Sequence, residues 1–273
     1  MGRAQPGPLR RRLTRIAAAA LLGYGALVVL MSMFETALVY PRPQVEVSRL
    51  TELATKVGAE EVRVTAEDGV MLYGWRLGDH ERLVLCFSGN GGTVGAWLDR
   101  YRRFDEAGLS VLHVNYRGYP GSEGSPSEDG LVLDAKAAWS LATRSHASED
   151  IIVLGKSLGG GVAVALASEV RPRAVVLEST FLSAVAVGAE AYPFLPVRWV
   201  MRNTWRSDER AALVRSPVLV LHGSQDAMIG SHHGRQLAEV LPDASFQLVE
   251  GVGHNDDLLD DPDAWRAFLD LAL

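Results

Sequence analysis

Gly155-Lys156-Ser157-Leu158-Gly159 is the stretch whose residue types and spacing could do chemistry. An apolar, β-branched run (Ile151-Ile152-Val153-Leu154) leads into it, and a small-residue segment over 162–168 leaves it. A serine on a sharp strand-to-helix turn is held at positive φ, and its neighbours two residues away must lack side chains so that strand and helix can approach. The helix then aims its N-terminal N–H groups and partial positive charge at any anion forming beside the serine. The chemistry this supports is nucleophilic attack by Ser157. Glycine and serine are common, so a plain turn is the competing reading. The rest of the chain must supply a base, an acid and an oxyanion site.

Of seven histidines, His254 stands in Gly251-Val252-Gly253-His254-Asn255-Asp256, after the last predicted strand, where glycines let a loop fold over the sheet edge. His222 ends a strand and reads as a satisfied core histidine. His232 and His233 open a helix and read as solvated, while His80, His113 and His146 lie in no motif. For the acid, Asp226 lies in Leu221-His222-Gly223-Ser224-Gln225-Asp226, a turn after a buried strand. An Asx-turn or helix cap is the competing role there. Glu178, ending the preceding strand, is the rival acid, and Asp256 and Asp257 stand too near His254 in sequence to approach it from behind. The oxyanion site needs two N–H donors, each worth about 3 kcal/mol. Leu158, following the serine, supplies one, and Asn90 in Ser88-Gly89-Asn90-Gly91-Gly92 the other. Read instead as a phosphate loop, that segment lacks a following Lys-Ser/Thr and the G-x-G-x-x-G spacing.

Positioning these residues falls to a chain of 273 residues, 48% hydrophobic and 22% charged, enough for one large α/β core. The net charge is −6, but Arg3, Arg10, Arg11, Arg12 and Arg15 all fall in the first fifteen residues. Without those five of the 27 Lys and Arg, 22 face 33 Asp and Glu, a net of −11. An acidic globular part argues against a nucleic-acid partner. Cys86 is the only cysteine, so neither an intrachain disulfide nor a thiolate metal site can form, and no metal or cofactor is expected.

Residues 16–34 carry no charge and as a helix span about 28 Å, one hydrocarbon core. A buried soluble helix and a cleaved signal peptide are the rivals. The preceding arginines oppose the first, and the exit Ser32-Met33-Phe34-Glu35-Thr36-Ala37 offers no convincing cleavage site against the second. The reading is an uncleaved signal anchor with residues 1–15 cytoplasmic and the remainder across the membrane. Residues 35–59 read as a tether in which Tyr40-Pro41-Arg42-Pro43 forbids helix.

From residue 60 to 273 strands and helices alternate. A hairpin turns at Glu67-Asp68-Gly69, and strands are expected over 82–87, 110–115, 151–154, 174–177, 218–221 and 246–249. Helices are expected over 93–107, from Pro126-Ser127 to 144, over 231–241 and from about 263. Residues 181–215, rich in Trp, Tyr and Pro, break this rhythm and read as a small cap over the pocket. The fold class is α/β: a mostly parallel twisted sheet with helices on both faces and sites at the carboxyl ends of strands.

Ser157, Asp226 and His254 follow the order nucleophile, acid, base that α/β-hydrolases use. Further motifs carry a resemblance: Tyr40-Pro41 after the apolar anchor, Gly89-Asn90-Gly91-Gly92, Asn115-Tyr116-Arg117-Gly118-Tyr119, Ser122-Glu123-Gly124-Ser125-Pro126-Ser127, His222-Gly223-Ser224-Gln225-Asp226 and Gly253-His254-Asn255. The chain resembles the membrane-anchored branch of the α/β-hydrolase family, which contains depalmitoylases and lysophospholipases. That resemblance implies Ser157 as nucleophile, His254 as base and Asp226 as acid. Two departures stand out: Ser88 replaces a histidine before the oxyanion glycine, and Lys156 occupies the elbow's second position, where it would sit near the pocket, though such a lysine more often points to solvent. The expected activity is hydrolysis of a carboxylic ester or thioester of a small or lipid-like acyl substrate. The alternatives are a peptidase or amidase on the same residues, and a non-catalytic membrane-tethered binding protein.

Overall fold

The computed structural model describes residues 7–273; residues 1–6 of the basic N-terminal stretch, Arg3 included, lie outside the described residues. Eight strands form one sheet: β1 (Glu60–Thr65), β2 (Met71–Leu77), β3 (Arg82–Phe87), β4 (Leu109–Val114), β5 (Ile151–Lys156), β6 (Ala174–Glu178), β7 (Val218–Gly223) and β8 (Ala244–Val249). Their order is β1-β2-β4-β3-β5-β6-β7-β8. The β1–β2 and β2–β4 pairs are antiparallel and all others parallel, so the expected mostly parallel sheet is present. The leading hairpin closes through Gly69, at φ 86°, with Ala66 N–H donating to Val70 O.

The ten helices of the described chain are α1 (Pro8–Val39), α2 (Val47–Val57), α3 (Leu98–Glu106), α4 (Glu128–Ala142), α5 (Leu158–Ala167), α6 (Ala184–Ala191), α7 (Val197–Val200), α8 (Ser207–Arg210), α9 (Ser231–Val240) and α10 (Pro262–Ala272). Alternate side chains of a strand face opposite ways, and the sheet uses both faces. Leu83, Leu85 and Phe87 join Ile151 and Val153 in one core with α4, α5 and α9. Val84 and Cys86 join Ile152 and Leu154 in a second core with α2, α3 and α10.

Three expectations are corrected. The stretch read as a tether over 35–59 holds α2, because Leu50, Leu53, Ala54 and Val57 repeat at helical spacing and Leu50 and Ala54 bury against the second core. Gly58 ends it in the left-handed region at φ 72°. The apolar span read over 16–34 is part of a longer helix that stops only at Tyr40-Pro41, where proline forbids continuation. The single helix expected over 93–107 is a 3₁₀ turn, Val94–Ala96, followed by α3. Residues 181–215 contain α6, α7 and α8 and a further 3₁₀ turn.

Candidate active site

The chain leaving β3 turns to β4 on one side while β5 lies on the other, so a crevice opens beyond the carboxyl ends of β3 and β5, the expected ligand position in such sheets. Ser157 sits there, between β5 and α5, at φ 54°. Its N–H donates to Glu178 O at 2.8 Å, and Thr180 Oγ1 donates to Ser157 O at 2.9 Å, which holds a backbone conformation that a side-chain-bearing residue otherwise avoids. The flanking glycines have a steric cause. A Cβ on Gly155 would lie 2.2 Å from Gly159 O, and one on Gly159 would lie 2.1 Å from Phe87 O.

Three sequence-selected residues meet across 97 positions of chain. His254 Nε2 lies 3.0 Å from Ser157 Oγ, and His254 Nδ1 lies 2.7 Å from Asp226 Oδ2. Asp226 Oδ1 accepts N–H bonds from Met228 at 2.9 Å and Ile229 at 2.8 Å, so the acid also closes its own turn. Burial raises a carboxyl pKa, but hydrogen bonds from His222, His254 and the Ile229 N–H overcome it and hold Asp226 well below the usual range. An anionic Asp226 fixes His254 with its proton on Nδ1, leaving Nε2 to accept from Ser157.

His222 is buried as expected, but its Nε2 reaches Asp226 Oδ2 at 3.3 Å as well as Ile229 O at 2.9 Å. His233, expected in solvent, is buried, and with exposed His232 it meets Glu190 of α6, tying α6 to α9. The rival acid Glu178 is committed elsewhere: its Oε2 accepts from Arg100 Nη1 at 2.8 Å. Arg100 also grips Asp257 through Nη2 and, at 3.0 Å, through Nε, so this buried cation ties α3 and β6 to the loop that carries His254. Lys156 is not free in solvent. It is half-buried, its Nζ donates to Asp256 O at 2.7 Å, and burial draws its pKa down.

Asn90 and Leu158 flank Ser157 from the loop after β3 and the start of α5. That loop is fastened by residues that sequence reasoning left without a role. Tyr116 donates to Ser88 O at 2.8 Å, and Tyr119 donates to Asn90 O. Beneath them His113 Nε2 lies 3.3 Å from Ser88 Oγ and Nδ1 lies 2.6 Å from Tyr101 Oη, whose O–H donates to Val94 O. Burial foremost, with Arg100 nearby, draws His113 down to about 3, so it is neutral and can accept from Ser88. Both tyrosines belong to a motif visible in the sequence, Asn115-Tyr116-Arg117-Gly118-Tyr119; what the sequence lacked was their partner.

Two hollows meet at Ser157, Asn90 and His254. One is an apolar cavity of about 310 Å³ between residues 181–215, which give Val187, Leu195 and Val200, and α1, which gives Met31, Leu38 and Val39. The other is a polar cleft of about 620 Å³ bordered by the glycine loop, Trp97, Arg100, Lys156, Asn255 and Asp257.

Comparison with known proteins agrees with this architecture. A family model described as serine aminopeptidase S33 (Hydrolase_4) matches residues 78–207. The uncharacterised protein Rv2307c of Mycobacterium tuberculosis is 36% identical over 270 residues, covering 95% of each chain. The alpha/beta hydrolase domain-containing protein WAV2 of Arabidopsis thaliana is 30% identical over 244 residues, covering 79% of each. Among solved structures, the Pyrococcus furiosus esterase Pf2001 matches with a TM-score of 0.65 at 20% identity, covering 79% of this chain and 92% of that one. With these matches, the sheet order and the turn at Ser157, the chain belongs to the α/β-hydrolase family.

Proposed function

We propose that this hydrolase cleaves a carboxylic ester or thioester of a lipid-like acyl group through Ser157, His254 and Asp226. Ser157 Oγ attacks the carbonyl carbon as His254 Nε2 takes its proton. The Leu158 and Asn90 N–H groups receive the oxyanion, and His254, now cationic and oriented by Asp226, protonates the leaving group. Water, deprotonated by His254, then releases the acyl group from Ser157. The acyl chain occupies the apolar cavity and the departing group the polar cleft. The observation that carries this reading is the hydrogen-bonded run Asp226–His254–Ser157 standing where an apolar and a polar hollow meet.

The same reading divides the chain into a basic cytoplasmic segment (1–15), a single-pass anchor (16–34), a connecting segment (35–59) and a catalytic domain (60–273) with a cap (181–215) across the membrane. Helix α1 is long and apolar enough to cross a bilayer, with mean hydropathy 2.1 in its most apolar window. A retained anchor also accounts for α1 lining the cavity. Fluorophosphonate labelling of membranes tests the nucleophile: wild type should label and Ser157→Ala should not. A folded wild type that stays unlabelled beside a reactive control hydrolase removes the reading and leaves the binding protein. The serine aminopeptidase description of the family model favours a second substrate class, so aminoacyl amides belong in the panel with esters and thioesters.

A further inference from the structure

Helix α1 does not hang free of the catalytic domain. Val28, Met31, Ser32, Glu35, Thr36 and Val39, recurring at three- and four-residue steps, are its less exposed positions, while Leu21, Leu22, Leu30 and Met33 are more than half exposed. The inner stripe faces the cap, and two polar contacts fix how far along α1 the cap reaches. Near the end of the apolar span, Glu35 accepts hydrogen bonds from the backbone N–H groups of Arg202 and Asn203. Eleven residues earlier, Tyr24 Oη donates to Phe194 O at 2.9 Å. Cap residues 194 to 203 therefore run antiparallel to α1 over about 16 Å of its length.

The charges flanking the apolar span are Arg15 and Glu35, about 30 Å apart along the helix, the thickness of a hydrocarbon core. With those two residues at the two boundaries, Tyr24 lies near the middle of the bilayer, and Phe194 lies at its depth. The cap tip is suited to that place. Phe194 is 61% exposed and Trp199 90%, and residues 191–201 contain one charge, Arg198, whose long stem can carry its guanidinium to the phosphate layer. In hydrocarbon, backbone polar groups need partners inside the protein. Pro193 and Pro196 have no N–H; those of Tyr192, Leu195 and Trp199 donate to Gly188 O, Tyr192 O and Pro196 O, and the Phe194 carbonyl has Tyr24. These bonds pair part of the tip's backbone inside the protein, at the depth where α1 meets it.

We propose that residues 192–200 are immersed in the leaflet next to the catalytic domain, and that the cavity between cap and α1 takes the acyl chain of a bilayer-resident lipid ester or thioester sideways from that leaflet. The polar part of the lipid stays toward the cleft. Only the fate of the chain rests on the hydrolase reading above; the immersion stands on the contacts between α1 and the cap.

The test uses the full chain in phosphatidylcholine vesicles. Cys86 is buried, so a nitrobenzoxadiazole probe is directed to Phe194→Cys, or to Glu149→Cys just before β5, at the opposite end of the sheet from Ser157. The probe at 194 should be quenched by doxyl groups on lipid acyl chains and shielded from aqueous iodide, and the probe at 149 should show the reverse. Iodide quenching at both positions, with no doxyl quenching at 194, overturns the immersion and leaves the hydrolase reading intact. For the route, Phe194→Asp/Trp199→Asp should lose about tenfold or more in rate on a vesicle-embedded long-chain ester, while its rate on soluble p-nitrophenyl butyrate stays within about twofold of wild type. Phe194→Leu/Trp199→Leu should keep both rates. Equal rates for the aspartate and leucine pairs on the vesicle ester overturn sideways entry. A wild type shielded at 194 but inactive on every acyl substrate overturns the hydrolase reading and leaves the immersion standing.

Discussion

Replacing Arg100 with leucine should separate what holds this fold from what aligns its site. Arg100 is 4% exposed and Glu178 0%. Glu178 Oε1 has no hydrogen-bond partner among the described residues, so the guanidinium on Oε2 is the main compensation for a fully buried carboxylate. Removing one partner of a buried pair costs about 3–5 kcal/mol, because the other charge is left uncompensated. For a domain of this size that lowers Tm by about 10 °C. Replacing both residues by well-packed apolar ones is commonly neutral, so Arg100→Leu/Glu178→Leu should recover most of the loss. Catalysis should not recover with it. Asp257 stands three residues after His254 and loses its grip on Arg100 in both variants, so kcat/KM should stay about tenfold or more below wild type in each, measured well below Tm. Thermal unfolding followed by circular dichroism, with ester kinetics on the same samples, reads both quantities. A single variant that costs less than about 1 kcal/mol, or a double variant as unstable as the single, refutes the reasoning about Glu178.

Asp226→Asn should lower kcat about 10³–10⁴-fold with the fold retained, since the amide no longer holds His254 in the tautomer that accepts from Ser157; a loss under tenfold would return the acid role to open question. Val187→Phe narrows the apolar cavity and should leave short esters nearly unaffected while long-chain rates fall, each excluded methylene forfeiting about 0.8 kcal/mol, or about fourfold; a chain-length series reads this, and a uniform loss contradicts the assigned acyl site. His113 supplies a pH dependence. Its folded-state pKa lies near 3 and its unfolded value near 6.5, so below pH 6.5 the unfolded chain binds a proton that the folded chain refuses. Stability should therefore fall with pH from about 6.5 toward 3, and His113→Asn, though less stable overall, should show a slope shallower by up to about 1.4 kcal/mol per pH unit near pH 5 in denaturant titrations. Identical slopes would contradict a neutral buried His113.

What could be read from the sequence was local or periodic. The glycines at 155 and 159 announced a close approach, and the alternation of strands and helices gave the parallel sheet. His254, Asp226 and Ser157 each sat at the end of a predicted strand, and such ends converge in a parallel sheet, which is why three separate motifs could be joined in advance. Unread were contacts between segments far apart in the chain. The aromatic composition of Tyr116 and Tyr119 is the same whether they pack in the core or fasten the loop at Ser88 and Asn90. Lys156 looked solvated because nothing nearby in sequence offered the carbonyl of Asp256, one hundred residues on. Helix α2 was hidden by its neighbourhood: two prolines precede it, and five apolar positions in eleven residues reveal a face only when a second core is there to receive it.

The same blindness made α1 look like a separate part, whereas its end is built into the α/β domain. Glu35 is 7% exposed, and a carboxylate at that depth is costly unless its lone pairs are filled. Asn203 fills them from both its backbone N–H and its Nδ2, and its Oδ1 in turn accepts from Tyr40 Oη. Tyr40 accepts from Trp205 Nε1, and burial pushes its phenol pKa up, which keeps it a donor to Asn203. This chain of bonds begins on α1, ends on the fully buried ring of Trp205, and lies beside the cavity that opens on Ser157. A connecting segment needs none of it. Removing α1 as a cleaved leader would strip Met31, Leu38 and Val39 from the cavity wall and leave Asn203 without its acceptor, so the buried polar chain and the apolar wall together argue that α1 and the cavity form one structural unit.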